Sequence, residues 1–288
     1  MTDTKTGSNR EMMMSIGRMQ ARDGNSQSRL SWHDRNLKVA ECGPIVYFVG
    51  CLPYADVLFG GHVETGLLEI PRAAVRLLNL LGIEPVVMCS EVCCGLDFHL
   101  TGDNETFEAL ARQNVEHIRK TGAKTILTTC GDGAFMLREY PSLGFDHGCT
   151  VMHVAEFAAN RLDEIKIPEG TGILPSCTTG PCGDSGPINT SALSKLLGKG
   201  VVDLSQAIGG PIESAAGGWL PANSDESRKL EGFIAAAVEM NCDRIYTACP
   251  RILLSLRYTM RPGAWHRSSV ELQDLTVALA RLWEARQR

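Results

Sequence analysis

Four cysteines stand where their thiols could share one centre. Cys93 and Cys94 are adjacent and Gly95 follows them. Successive side chains of a regular strand point to opposite faces, so two neighbouring thiols face one centre only if the chain turns there. Gly95 supplies the backbone freedom for that turn. Forty-one residues separate Cys51 from the pair and 35 separate the pair from Cys130. Each outer cysteine ends an apolar, β-like run, Ile45-Val46-Tyr47-Phe48-Val49 for the first and Thr125-Ile126-Leu127-Thr128-Thr129 for the second. Strand ends meeting at one sheet edge are where α/β proteins bind ligands. Four thiolates there are a ligand set for an iron–sulfur cubane or for a zinc ion. The competing reading is a set of buried thiols that pack as small hydrophobes.

The chain has 288 residues, enough for one large core or two domains. Its 44% hydrophobic content is that of a globular protein. A net charge of −5 argues against nucleic acid as the main partner, which needs a basic face. No run of eighteen apolar residues occurs, so no membrane-spanning helix is expected, and the polar start from Met1 to Arg10 does not read as a secretory signal. A cytoplasmic location is therefore expected. In that reducing setting the 11 cysteines point to metal or redox chemistry more than to disulfides.

The elements that would position these thiols follow in order. Residues 1–40 are polar and read as a flexible N-terminal tail; the alternative is an arm that orders through Met12, Met13, Met14 and Met19. Pro71 opens a helical pattern that Gly82 ends, and Pro85 to Met88 reads as a short buried strand. Asp103 should cap a helix carrying Phe107, Leu110, Ala111, Val115 and Ile118, with Gly122 as its stop. Strand, loop and helix alternate, which is the order of a parallel sheet with helical crossovers.

The pattern then repeats. Ile173-Leu174 leads to Cys177 as the first strand leads to Cys51, Ala215-Ala216 aligns with Cys93-Cys94, and the run from Arg244 leads to Cys249 as that from Thr125 leads to Cys130. The offsets are 126, 122 and 119 residues. This implies an α/β fold of two duplicated half-domains with parallel sheets, related by a pseudo-two-fold. The expected division is 41–168 for a first, cluster-binding module, 169–262 for a second, degenerate one, and 263–288 for a C-terminal amphipathic helix, drawn from the pattern Val270 to Arg286.

On these residues the chain resembles the cysteine-rich, CCG-domain proteins, which include the B subunits of heterodisulfide reductases and iron–sulfur subunits of glycolate, lactate and glycerol-phosphate oxidoreductases. The resemblance covers about Ile45 to Leu256 and looks most like the bacterial heterodisulfide-reductase-like type of sulfur oxidation. It implies that Cys51, Cys93, Cys94 and Cys130 are cluster ligands. The family's fifth ligand would fall at Gly133 and is missing, so the expected cofactor is one 4Fe–4S cluster, a cubane rather than the family's noncubane form, with zinc as the alternative. In the second copy only Cys177 and Cys249 match, and its fifth position is Ile252.

What the resemblance further implies is an oxidoreductase subunit acting on a thiol, disulfide or sulfane sulfur. Its expected partners are a ferredoxin-like subunit of the C type, a flavin subunit of the A type and a sulfur-carrier or lipoyl-carrier protein. Cys177, Cys182 and Cys249 are candidates for a catalytic thiol relay, weighed against cysteines left over from a lost cluster. Two other classes stay open: a non-catalytic electron-transfer subunit and a structural zinc protein. Asp132 reads as a solvated turn residue or a substitute oxygen ligand, and His99 as a loop histidine or one tuning the cluster. Cys42, Cys89, Cys149 and Cys242 match no module position and read as core or surface thiols.

Overall fold

The computed structural model describes residues 5–22, 29–162, 165, 167–174, 201–204, 219–221, 224–261 and 270–288. The leading half runs α1 (Lys5–Gln20), β1 (Ile45–Phe48), α2 (Leu52–Phe59), α3 (Glu69–Leu80), α4 (Leu96–Thr101), α5 (Asn104–Thr121), β2 (Thr125–Thr128), α6 (Gly131–Glu139), β3 (Thr150–His153) and α7 (Val154–Ala159). The trailing half contains β4 (Thr171–Leu174), β5 (Val201–Asp203), α8 (Ser224–Glu239), β6 (Arg244–Thr247), α9 (Pro250–Thr259), β7 (Glu271–Asp274) and α10 (Leu275–Gln287).

Both sheets are parallel, as apolar strands joined by crossover helices require. The first has the order β1-β2-β3, with Ile45 beside Thr125 and Thr125 beside Thr150. The second has the order β5-β4-β6-β7, with Thr171 beside Arg244 and Arg244 beside Glu271. Val86 makes a lone bridge on the outer side of β1, the place β5 takes beside β4. The halves thus repeat one strand order.

Local chemistry explains the element ends. Asp103 accepts a hydrogen bond from the Thr106 N–H at 3.3 Å and starts α5, and Gly122 ends it at φ +74°. Phe107, Leu110, Ala111, Val115 and Ile118 are its buried face. Helix α3 begins at Glu69, two residues before Pro71, because proline is tolerated in the first turn, where N–H groups lack intrahelical partners.

Several expectations change. The segment 85–88 is not a strand, since only Val86 bridges, although its carbonyl accepts from the Tyr47 N–H at 2.8 Å. The pattern from Val270 is not one helix: Glu271–Asp274 pairs with β6 first, and Asp274 then caps α10. Strand β3 and helix α7 were not expected. Within 1–40, the described residues do not form a free tail. Met13, Met14, Trp32 and Leu37 are buried, because the polar segment carries enough apolar surface to dock. Gly17 lets α1 approach the ring of Phe98 in α4, where any Cβ would collide.

One apolar core joins the halves. Leu77 and Leu78 of α3 and Leu127 of β2 lie in the same cluster as Tyr246, Leu253, Leu275 and Leu279, and α10 packs along α3. Phe59 of α2 stacks on Trp219 with ring centroids 6.3 Å apart.

Candidate functional site

Each of the four cysteines sits at a strand exit or a helix entrance. Cys51 follows β1 and left-handed Gly50 and caps α2. Cys130 follows β2 in extended conformation and caps α6, where its sulfur accepts the Gly133 N–H at 3.4 Å. Cys93 and Cys94 occupy the turn before α4. There Gly95 adopts φ +82°, and a Cβ would lie 2.8 Å from the Phe107 ring, so both the conformation and the space demand glycine. The Gly95 N–H points at the Cys93 sulfur, 3.4 Å away.

The four thiols line one cavity together with Asp97, Asp132, Gly133, Trp219, Pro250 and Arg251. The Cys51 and Cys93 sulfurs are 3.6 Å apart. Cys93 is held well below the usual thiol range by hydrogen bonds from Cys51 and Cys94, with the Gly95 N–H adding to the effect. Cys51 and Cys94 are pushed well above it, because each donates to Cys93 and both are partly withdrawn from water. Ligation of a metal centre requires such thiols to lose their protons, and the N–H groups aimed at two of the sulfurs favour the thiolate form.

The donor set fits an iron–sulfur cluster. Its ligands are sulfur, backbone N–H groups reach two of the sulfurs, and the pocket is lined by apolar groups and by Arg251, which pairs with the carboxylates of Asp97 and Asp132. Among the described residues no three His, Cys, Asp or Glu side chains are arranged around a single ion. A cubane makes a different demand, because its thiolates are spread over separate iron atoms.

Buried polar residues that the sequence did not announce hold this geometry. Glu91 is fully buried and accepts from the Val49 N–H at 2.9 Å, the Gly50 N–H at 2.6 Å and Arg29 at 2.8 Å, tying the exit of β1 to the cysteine turn. Burial raises its carboxyl to about 7 even with Arg29 opposing. The Asn114 side chain accepts from the Val92 N–H at 3.1 Å and donates to the Cys93 carbonyl at 3.0 Å. The Tyr140 hydroxyl donates to the Cys94 carbonyl at 2.9 Å. Gln20, at the end of α1, accepts from the Cys93 N–H at 2.9 Å. These contacts join residues 21 to 73 positions apart, so no local pattern reveals them.

Asp132 is corrected by the structure. It is buried at 3% exposure and pairs with Arg251 at 3.2 Å, because α9 of the other half brings a cation to it. It is no solvated turn residue. Gly133 does line the cavity, and a Cβ there would lie 3.9 Å from the Cys130 sulfur. The position therefore faces the site without bringing a fifth thiol. Cys249 is buried at 1% exposure at the entrance of α9, outside the cavity lining, whereas its neighbours Pro250 and Arg251 are in it. Cys177 and Cys182 lie outside the described residues, as does the Ala215-Ala216 pair. Ile252 is buried in the trailing core. Cys42 and Cys89 are exposed, Cys149 is half-buried and Cys242 is buried. His99 packs against Phe107 with centroids 5.2 Å apart.

The family model of the cysteine-rich domain CCG matches residues 45–138. The D subunit of the dihydromethanophenazine:CoB–CoM heterodisulfide reductase of Methanosarcina barkeri is 29% identical over 239 residues, covering 78% of this chain and 56% of that protein. The B subunit of the CoM/CoB fumarate reductase of Methanothermobacter marburgensis is 32% identical over 43% of this chain and 22% of its own. A probable glycolate oxidase iron-sulfur subunit of Bacillus subtilis is 27% identical over 34% of this chain and 20% of its own. The chain thus spans little more than half the length of the heterodisulfide reductase protein that it matches. Among the described residues no helix is long and apolar enough to cross a membrane. The segment 45–138, which carries the four cysteines that line one cavity, is thus similar to the cysteine-rich CCG domain.

Proposed function

We propose that this chain is the iron–sulfur subunit of a heterodisulfide-reductase-like oxidoreductase complex, holding one 4Fe–4S cluster on Cys51, Cys93, Cys94 and Cys130. The observation that carries the reading is the meeting of these four thiols at one cavity on the exits of two parallel strands and the turn before α4. A bound cluster of this kind supplies one-electron chemistry. The protein's part is to hold four thiolates at fixed spacing, to direct the Gly95 and Gly133 N–H groups at two of the sulfurs, and to keep bulk water away with Leu52, Leu96 and Trp219. Asn114 and Tyr140 fix both carbonyls of the cysteine pair, so the turn keeps its shape when the thiols lose their protons.

The substrate class in this reading is a thiol, disulfide or sulfane sulfur, with a ferredoxin-like subunit and a flavin subunit as electron partners. The relatives named as heterodisulfide reductase and fumarate reductase subunits support that class. Cys177, Cys182 and Cys249 remain candidates for a thiol relay. For Cys249 the burial at 1% exposure favours a packing role. The glycine at position 133 favours an ordinary cubane, the form also suited to a pure electron-transfer subunit.

Anaerobic purification with iron, sulfide and zinc counting tests the assignment. The expected result is about four iron and four sulfide per chain, with a fall to a minor fraction in each Cys→Ser variant of the four. One zinc per chain with no sulfide would replace the cluster by a structural ion. Unchanged turnover of a disulfide substrate in a Cys177→Ala/Cys249→Ala double variant would remove the relay.

A further inference from the structure

Among the described residues, the second half reaches the cysteine cavity with Trp219, Pro250 and Arg251, and Arg251 brings a cation to it. The turn after β6 places Pro250 and Arg251 in the lining of the cavity that the first half's four thiols share. Arg251 is buried at 6% exposure. One end of its planar fork donates to Asp97 at the start of α4, and the other lies 3.2 Å from Asp132 at the start of α6. Its guanidinium also lies over the Trp219 ring, 5.4 Å from the centroid. Both carboxylates are themselves buried, so neither has water as an alternative partner. A guanidinium keeps its charge at all physiological pH, and its fork geometry fixes position as well as sign.

We propose that Arg251 is a positioning residue that sets the reduction potential of the cysteine centre, with Asp97 and Asp132 fixing where its charge sits. The proposal rests on the iron–sulfur reading of that site. The physical ground is direct. Adding an electron makes a thiolate-bound centre more negative, and a fixed positive charge in a water-poor cavity favours that change. The two carboxylates work in the opposite direction. The sign of the shift on removing each member of the trio is therefore determined by the geometry.

The test is a redox titration, monitored by EPR, of the full chain loaded anaerobically with iron and sulfide. Arg251→Gln is expected to move the midpoint to more negative potential and Asp132→Asn to more positive potential. Arg251→Lys should stay on the wild-type side of the glutamine variant. If the glutamine variant does not fold, the other two are read against the wild type: Arg251→Lys, which keeps the charge, should hold the midpoint near it while Asp132→Asn raises it. Midpoints equal to that of the wild type, or moving in one direction for Gln and Asn alike, would overturn the role of Arg251. A wild-type chain that takes up no iron or sulfide would overturn the site reading instead, so the two failures are distinguishable.

Discussion

At the scale of single residues, the cysteine turn is fixed by side chains that bind its backbone. The Tyr140 hydroxyl is buried, receives the Asn114 amide at 3.3 Å and donates to the Cys94 carbonyl. Tyr140→Phe leaves both groups without that partner, and a buried polar group so stranded costs about 1–3 kcal/mol. Chemical denaturation should show a loss of that size, and iron occupancy should fall less than in Cys94→Ser. An occupancy loss as complete as the serine variant's would mean that Tyr140 does more than hold the turn. That four cysteines meet at one cavity was legible in the sequence, because two of them end strand-like runs and the adjacent pair stands just before a glycine. Glu91, Asn114, Tyr140 and Arg251 were not. Their partners lie far along the chain, 154 residues away for Arg251 and Asp97, and such pairings leave no local signature.

At the scale of elements, the two halves cap equivalent helices with different chemistry. His153 ends β3 and accepts from the Ala155 N–H at 3.1 Å to start α7; Asp274 ends β7 and accepts from the Thr276 N–H at 2.7 Å to start α10. Burial lifts the Asp274 carboxyl from 3.8 to about 7 and depresses His153 from 6.5 to about 4. The signs are opposite. Folded Asp274 binds its proton more tightly than the unfolded chain, so its contribution is complete below pH 3.8 and is lost as pH rises through about 7. Folded His153 binds its proton less tightly, so its contribution grows from about pH 4 to 6.5. Comparison with Asp274→Asn isolates the first effect: the asparagine still caps, and the variant should gain on the wild type as pH rises from 4 to 7. Asp274→Ala should cost about 1 kcal/mol through the lost cap. A constant difference across that pH range would show that Asp274 is ionised throughout. Caps such as Asp103 were readable because they precede long periodic helices. Strands β3 and β7 were missed because four residues are too few to show alternation beside a stronger helical pattern.

At the scale of the molecule, the halves are not separable. Leu279 of α10 is fully buried in the cluster that also holds Leu77 and Leu78 of α3, and Arg257 of α9 donates to the Thr65 carbonyl in the other half. Leu279→Ala should destabilise by about 2–5 kcal/mol, and a single unfolding transition should persist. A segment of residues 41–168 alone would expose the α3 face that α10 covers and would lose Arg251. It should aggregate or fail to retain iron, as gel filtration and iron counting would show. A monomeric, iron-bearing fragment would make the second half dispensable. The parallel sheets and the duplication were visible in the offsets. The seam between the halves was not, since nothing in a repeat says how its copies face each other.

The trio of Arg251, Asp97 and Asp132 carries a consequence for how the molecule can change over generations. A copy with alanines where its sibling has the cysteine pair would ordinarily drift as mere filling. Here the trailing copy supplies the cation that pairs with two buried carboxylates at its sibling's cavity, so a change at that side chain is felt in both.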